Sequence, residues 1–125
     1  MKVAAIQMAS GPQVPANLSE AARHIGKAAA AGARLVVLPE NFAIMAQQDA
    51  DRLAAAERDG QGPIQEFLAG QARTHGVWLV GGTVPMKAND PERVRAACLL
   101  FNDRGERVAR YDKIHLFDVR LDNGE

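Results

Sequence analysis

Two side chains in this sequence stand where a strand-like run gives way to a loop, and both are of types that take part in catalysis. Glu40 follows the apolar run Leu35–Leu38 and a proline, and Lys113 follows a later strand-like run that ends at Tyr111. Loop starts held by a rigid scaffold commonly carry functional side chains. Because both residues stand at such loop starts, we interpret them as candidate catalytic groups. Each residue alone also fits an ordinary solvated charge at a strand end.

The other residues that could do chemistry have structural interpretations. Cys98 lies in the apolar run Ala96–Leu100, so we expect a buried thiol that behaves as an inert hydrophobe. His24 and His75 lie on helical segments and are predicted to be surface residues. His115 lies among apolar neighbours and is predicted to be a structural histidine. No nucleophile therefore stands out beside the glutamate and the lysine.

Neither a metal site nor a phosphate-binding loop is predicted. No pair of His, Cys, Asp or Glu residues has the spacing of zinc ligands. The Gly81-Gly82 pair lacks the glycine pattern of dinucleotide or P-loop sites, which argues against an unrelated nucleotide-binding module. Paired glycines at the end of a strand-like run instead predict the close approach of another backbone or of a ligand.

Composition predicts an ordinary α/β domain. The chain has 125 residues, with 15 basic and 15 acidic side chains that cancel, so its charge favours neither nucleic acid nor anionic lipid. No apolar run reaches the ~18 residues of a membrane span, and the start is too short and too broken for a signal peptide. One cysteine excludes an internal disulfide framework. We expect a cytoplasmic protein with neither a membrane nor a nucleic-acid partner.

The first half of the chain has the order strand, helix, strand. Val3–Met8 reads as a buried strand, and a helix capped by Asn17 or Ser19 is predicted to run to about Ala31. Leu35–Leu38 follows as a second buried strand. This order favours parallel pairing of the two strands through a right-handed crossover.

The rest of the chain is predicted to add one or two helices and three strands. In chain order these are a surface helix or an ordered excursion within Gln47–Arg58, a helix from Pro63 to near Gly76, a strand at Val77–Val84, and strands at Val94–Phe101 and Glu106–Tyr111 joined by the hairpin loop Asn102–Gly105. All of the buried strands are apolar at nearly every position, so they need cover on both faces of the sheet.

Four segments, taken together, resemble the nitrilase superfamily of carbon–nitrogen hydrolases over essentially the whole chain. Val3–Met8 looks like the opening strand of that family, and Ala31–Glu40 looks like the segment that carries its catalytic glutamate. Gly81–Pro85 resembles the next core strand and its exit, and Tyr111–Asp118 is similar to the segment that carries the catalytic lysine. Within the family, the sequence Lys-Ile-His-Leu-Phe-Asp is most similar to that of the Nit-type amidases, which include omega-amidases and deaminated-glutathione amidases.

The resemblance implies a Glu-Lys-Cys triad on a four-layer α-β-β-α sandwich. Glu40 would be the general base, and the ammonium of Lys113 would stabilise the oxyanion of the tetrahedral intermediate. A thioester acyl-enzyme would form on the cysteine, without a cofactor or a metal. The implied substrate is a small omega-amide or a related amide, and the implied parent protein is a homo-oligomer.

The sequence departs from the family at the nucleophile. In the family the cysteine follows the lysine, whereas Cys98 precedes Lys113, and a second family glutamate cannot be matched to Glu125. We therefore expect residues 1–125 to be the N-terminal portion of a carbon–nitrogen hydrolase domain that is inactive alone. A non-catalytic binding or regulatory half-sandwich, and an acyltransferase of the same superfamily that uses the same triad, remain alternatives.

Overall fold

The computed structural model describes residues 1–113 of the chain. The predictions made for His115 and for the end of the lysine segment lie outside the described residues. In chain order the elements are β1 (Val3–Ala5), α1 (Val14–Ala30), β2 (Leu35–Val37), α2 (Asp49–Ala55), α3 (Pro63–His75), β3 (Trp78–Val80), β4 (Val84–Lys87), β5 (Val94–Phe101) and β6 (Arg107–Asp112).

The strands form one mixed sheet in which β5 pairs with three other strands. The three short strands β1, β2 and β3 pair in parallel, with Ala4, Val36 and Leu79 side by side. β5 runs antiparallel to its three neighbours. β3 and β4 share one edge of β5, because Phe101 pairs with β3 and Ala97 pairs with β4, while β6 follows the opposite edge.

One face of the sheet is covered by α1 and α3, and the core lies between these helices and the strands. Ile25 from α1, Leu68 from α3, Leu79 from β3 and Leu99 from β5 are completely buried there. Burial alternates along the strands, as expected when one sheet face packs on helices and the other does not.

The opposite face carries apolar side chains that the described residues leave partly open. Val3 is 54% exposed, Trp78 39% and Tyr111 62%. Val3 and Trp78 flank Leu35 in register, so they belong to one continuous surface across the parallel strands. The sequence predicts that both faces of the sheet are covered. Within residues 1–113, only the face that packs on α1 and α3 is covered.

The prediction of a single strand over Val77–Val84 is wrong. The chain pairs in parallel with β2 only through Val80, and a second strand, β4, begins at Val84. β3 and β4 run in the same direction along β5, and the break between them contains Gly82, whose φ of 56° lies in the left-handed region that favours glycine. An apolar run alone does not reveal such a break, because the residues on both sides of it are apolar.

The predicted start of the first helix is also wrong. α1 begins at Val14 rather than beyond Asn17 or Ser19, and neither residue caps it. Pro15 lies in the first helical turn, where a missing N–H costs nothing, so the proline marks the start better than the polar residues do. β1 is shorter than the predicted Val3–Met8, although the N–H of Ile6 still donates to the carbonyl of Val37 at 2.9 Å.

The remaining elements agree with the predictions. The parallel pairing of the first two strands, the surface helix, the helix from Pro63, and the strand Val94–Phe101 are confirmed. The hairpin is confirmed with its second strand one residue later than predicted. The loop Asn102–Gly105 is closed by the N–H of Asn102, which donates to the carbonyl of Glu106 at 2.9 Å.

Candidate active site

Glu40 and Lys113 meet at one end of the sheet. The ammonium of Lys113 forms an ion pair with Oε2 of Glu40. The side chain of Glu40 is 54% exposed and that of Lys113 is 46% exposed, so both remain open to a substrate or to another part of a protein. The two residues that the sequence selected independently therefore form one constellation.

Glu40 is placed by the end of β2. The N–H of Leu38 donates to the carbonyl of Val80 at 2.9 Å, which continues the pairing of β2 with β3 by one residue. Pro39 then ends the strand, since it has no N–H to donate. Glu40 is the first residue beyond the proline, at the carboxyl end of a parallel strand, where α/β sheets commonly place their sites.

Lys113 is placed by the β5–β6 hairpin. Asp112 pairs with Ala97, and the N–H of Lys113 donates to the carbonyl of Ala96 at 2.9 Å. The register of the hairpin therefore determines where along the sheet Lys113 lies. Because β5 is also the partner of β3, the lysine comes to the same end as the carboxyl end of β2.

The segment after Glu40 is buried and is held by three side chains from elsewhere in the chain. Thr83 Oγ1 accepts a hydrogen bond from the N–H of Asn41 at 2.8 Å. The hydroxyl of Ser10 donates to the carbonyl of Phe42 at 2.6 Å, and Nδ2 of Asn17 donates to the carbonyl of Ala43 at 2.8 Å. The loop that carries the glutamate is thus fixed on the side that leads away from the sheet.

Sequence reasoning missed all three of these side chains. Asn17 is predicted from the sequence to cap a helix, but it lies inside α1 and is 5% exposed, with its amide bonded to Gly11 and to Ala43. Thr83 adjoins the paired glycines, and that position beside a predicted close approach was the one signal that could have found it.

A cleft of about 370 Å³ opens beside the ion pair. Its charged walls are Glu40, Lys113, Arg52 from α2 and Arg95 from β5, and uncharged residues that include Thr83 complete it. Three of the four charged side chains are cationic and one is anionic, so the described walls carry an excess of positive charge in a chain whose net charge is zero. The cleft favours a small ligand with a negative group.

Cys98 does not belong to this constellation. It lies within β5, is half-buried rather than fully buried as expected, and does not line the cleft. Burial raises the pKa of its thiol, which lowers the fraction of reactive thiolate at neutral pH. Its interpretation as an unreactive structural residue is consistent with this environment.

The predicted surface histidines are partly buried. Nε2 of His24 lies 3.2 Å from Oε2 of Glu20 one turn earlier, and His75 packs close to Gly26 of α1. Among residues 1–113, no group of three His, Cys, Asp or Glu side chains could hold a metal ion. In the same part of the chain, no helix is long and apolar enough to cross a membrane.

A buried carboxylate away from the cleft, Glu57, serves the fold. Its Oε2 accepts the N–H of Ile64 at 2.6 Å, and its Oε1 accepts the N–H and the side-chain amide of Gln65 at 3.1 and 3.0 Å. These are donors of the first turn of α3, which has no cap at Gly62. A Cβ at Gly62 would lie 2.3 Å from the carboxyl carbon of Glu57, so only glycine leaves room for this capping carboxylate.

The sequence model of the family described as "Carbon-nitrogen hydrolase" matches residues 2–125. The chain belongs to this family. Its membership agrees with the resemblance drawn from the sequence, and it makes the chain part of a hydrolase family that acts on carbon–nitrogen bonds.

Two curated relatives of this chain carry amidase names. A deaminated glutathione amidase of Yersinia enterocolitica is 39% identical over 120 residues, which are 95% of this chain and 41% of that protein. An omega-amidase of Saccharomyces cerevisiae is 33% identical over 129 residues, which are 99% of this chain and 44% of that protein. The chain thus spans less than half the length of either relative.

The fold is that of the nitrilase superfamily. The crystal structure of the NitFhit protein of C. elegans superposes with a TM-score of 0.81 at 27% identity, covering 94% of this chain and 29% of that one. A yeast member of branch 10 of the superfamily superposes with a TM-score of 0.76 at 29% identity, covering 93% of this chain and 45% of that one. The mixed sheet and its helices are therefore part of the nitrilase-like sandwich predicted from the sequence.

Proposed function

We propose that this chain supplies the general base and the oxyanion-stabilising lysine of an amidase that works through a cysteine thioester. The observation that carries the proposal is the ion pair between Glu40 and Lys113 at the mouth of a cleft. A carboxylate and an ammonium in contact can serve the two charge changes of amide hydrolysis, removal of a thiol proton and growth of a negative oxygen.

The nucleophilic cysteine is proposed to come from family segments that this chain does not contain. This rests on coverage, because the chain spans 41% and 44% of its two amidase relatives, and on the position of Cys98 outside the cleft. We infer that the chain is the N-terminal portion of the hydrolase domain and has no amidase activity alone.

In the proposed reaction, Glu40 takes the thiol proton as the thiolate attacks the amide carbonyl carbon. The carbonyl oxygen becomes negative and is stabilised by the ammonium of Lys113. The carbon–nitrogen bond then breaks, and the amine or ammonia leaves with the proton that Glu40 held. Glu40 next takes a proton from water, whose oxygen attacks the thioester, and the carboxylic acid leaves as the thiol is reprotonated. No step requires a metal or a cofactor.

The walls of the cleft support a small omega-amide as the substrate. Such a molecule carries a carboxylate at the end opposite its amide, and Arg52 and Arg95 add positive charge to the same cleft as the ion pair. The buried side chains of Ile44 and Val84 line the cleft and suit the methylene groups between the two ends. Homo-oligomerisation of the whole protein and its cytoplasmic location remain predictions from the sequence.

The test compares Glu40→Gln with Glu92→Gln in the full-length protein. Glutamine keeps the size of the glutamate but cannot take a proton, so ammonia release from glutaramate should fall by about 10²–10⁴-fold in the first variant. Glu92 is exposed on the loop before β5, and its variant should retain the native rate.

Near-native turnover by Glu40→Gln would contradict the proposal. Acyl transfer to an added amine in place of hydrolysis would assign the acyltransferase alternative. Saturable binding of glutaramate without any turnover by the native protein would assign the binding or regulatory alternative.

A further inference from the structure

Both peptide neighbours of Glu40 are fixed by one short segment, Gly82–Thr83. On one side, the carbonyl oxygen of Pro39 lies so close to Gly82 that a Cβ there would be only 2.0 Å from it. On the other side, the N–H of Asn41 donates to Thr83 Oγ1 at 2.8 Å. The prediction that the paired glycines permit a close backbone approach is confirmed, and the approaching backbone is the one that carries the glutamate.

The backbone at Asn41 adopts a conformation that most residues other than glycine disfavour. Asn41 has a φ of 59°, and it is the one non-glycine residue with a positive φ in the part of the chain that the structure describes. Residues other than glycine occupy this region at an energetic cost, and they persist there when surrounding contacts determine the conformation. Thr83 is 6% exposed and supplies that contact, and its hydroxyl also faces Asn41 Oδ1 at 3.4 Å.

We propose that Thr83 and Asn41 are positioning residues that hold Glu40 in the geometry of the general base. The proposal rests on the proposed function of Glu40. Thr83 acts through the backbone of Asn41, since its hydroxyl accepts that N–H, and the left-handed turn at Asn41 directs the chain into the buried segment that Ser10 and Asn17 fix. Without the hydroxyl, the carboxylate stays present but the N–H of Asn41 loses its acceptor.

The first test replaces the hydroxyl of Thr83 and then restores it in the full-length protein. Thr83→Val keeps the shape of the side chain but leaves the N–H of Asn41 without its acceptor, whereas Thr83→Ser keeps the acceptor. Thr83→Val should lower kcat by about 10- to 10²-fold, the scale of a misplaced catalytic group, with KM changed little. Thr83→Ser should return kcat to near the native value.

A core variant separates positioning from general loss of stability. Ile25→Val removes one methylene from the completely buried face of α1, far along the chain from the cleft, and should lower the Tm of the protein. Its kcat per folded molecule, measured below the thermal transition, should equal that of the native protein. If Thr83→Val does not fold, Asn41→Ala carries the test, because alanine keeps the N–H but disfavours a positive φ, and Asn41→Gly should restore kcat.

The decisive measurement is the combination of Thr83→Val with Glu40→Gln. A residue that acts only by positioning Glu40 should cause no further loss of single-turnover rate once that carboxylate is gone. An equal fold-loss in both backgrounds, an unchanged kcat in Thr83→Val, or a failure of serine to rescue would each overturn the positioning role. Near-native turnover by Glu40→Gln alone would instead contradict the proposed function, so the two failures are distinguishable.

Discussion

The contact between Glu40 and Lys113 places two opposite charges at the entrance of a cleft while leaving about half of each side chain exposed. An ion pair this open contributes little to stability, because solvent screens it and both side chains lose freedom on pairing. Its value in the proposed reaction lies in the arrangement, since the ammonium stands where negative charge would grow beside the base.

Replacing Lys113 with alanine in the full-length protein should lower kcat for glutaramate by about 10²–10³-fold, the usual effect of removing one oxyanion donor. Lys27→Ala, which removes an exposed lysine near the end of α1, should leave kcat unchanged. Cys98→Ala should also leave it unchanged, because that thiol lies outside the cleft. Loss of turnover in a folded Cys98→Ala variant would contradict its structural role.

Among the elements, α3 is fixed at its N-terminus by the loop that follows α2. Glu57 is 6% exposed, and its two carboxylate oxygens accept three hydrogen bonds from Ile64 and Gln65. A negative group at a helix N-terminus is also favoured by the helix dipole. The backbone of Glu57 bonds to Pro85 and Lys87, so the same residue joins α3 to β4.

Glu57→Gln should therefore lower the free energy of unfolding by about 1–3 kcal/mol, since a buried carboxylate is replaced by an amide that matches fewer of these donors. The exposed Glu66, in the first turn of the same helix, gives the matched variant Glu66→Gln, which should change stability much less. Chemical denaturation of both variants in the full-length protein measures the difference. Equal changes in the two would contradict the capping role of Glu57.

The β5–β6 hairpin is attached to the helical layer by an ion-pair cluster. Asp59 forms ion pairs with Arg107 and Arg110, at 3.0 Å from Nη1 of Arg110. Hydrogen bonding from Arg107, supported by the charges of both guanidinium groups, holds the pKa of the Asp59 carboxyl below its usual value. A lowered pKa means that the contribution to stability is present above the unfolded-state pKa and is lost as the pH falls through the folded-state pKa.

Asp59→Asn should cost less than about 1 kcal/mol at neutral pH, because the carboxylate is more than half exposed and solvent screens the cluster. The difference from the native protein should shrink as the pH falls below the normal range of aspartate titration, and it should shrink with added salt at neutral pH. Unfolding measured across pH values tests this. A difference that grew toward low pH would have the wrong sign.

At the scale of the whole molecule, the sheet has one face packed on helices and one that remains partly open among the described residues. Val3, Trp78 and Tyr111 contribute large exposed apolar side chains to the open face. Contiguous apolar surfaces of this kind promote association unless another layer covers them. In the family fold implied by the sequence, that layer is the second sheet of the sandwich.

Residues 1–125 expressed alone should therefore associate or unfold without a sharp transition, and should release no ammonia from glutaramate. Trp78→Lys, which places a charge on the open face, should reduce association, whereas Arg34→Lys at an exposed position next to β2 should not. Gel filtration and thermal unfolding provide the measurements. A cooperative transition from a monomer would favour the compact binding-module alternative.

The sequence by itself determined the elements whose signals are local. Pro39 ends the pairing of β2, Pro63 begins α3, and the loop Asn102–Gly105 closes the hairpin. Proline and turn residues restrict the nearby backbone whatever the rest of the fold is. Glu40 and Lys113 were selected for the same reason, since each follows such a strand end.

Only the tertiary structure decided how these pieces meet. Three features depend on contacts between residues that are distant in sequence. They are the break between β3 and β4 at Gly82, the burial of Asn17 inside α1 instead of at its cap, and the hydrogen bond from the N–H of Asn41 to Thr83. Strand pairing and buried hydrogen bonds depend on which neighbouring segment supplies the partner. An apolar run has the same sequence pattern whether it forms one strand or two strands with a break between them. The sequence could therefore select Glu40 as a candidate catalytic residue, whereas the contacts that hold its loop required the fold.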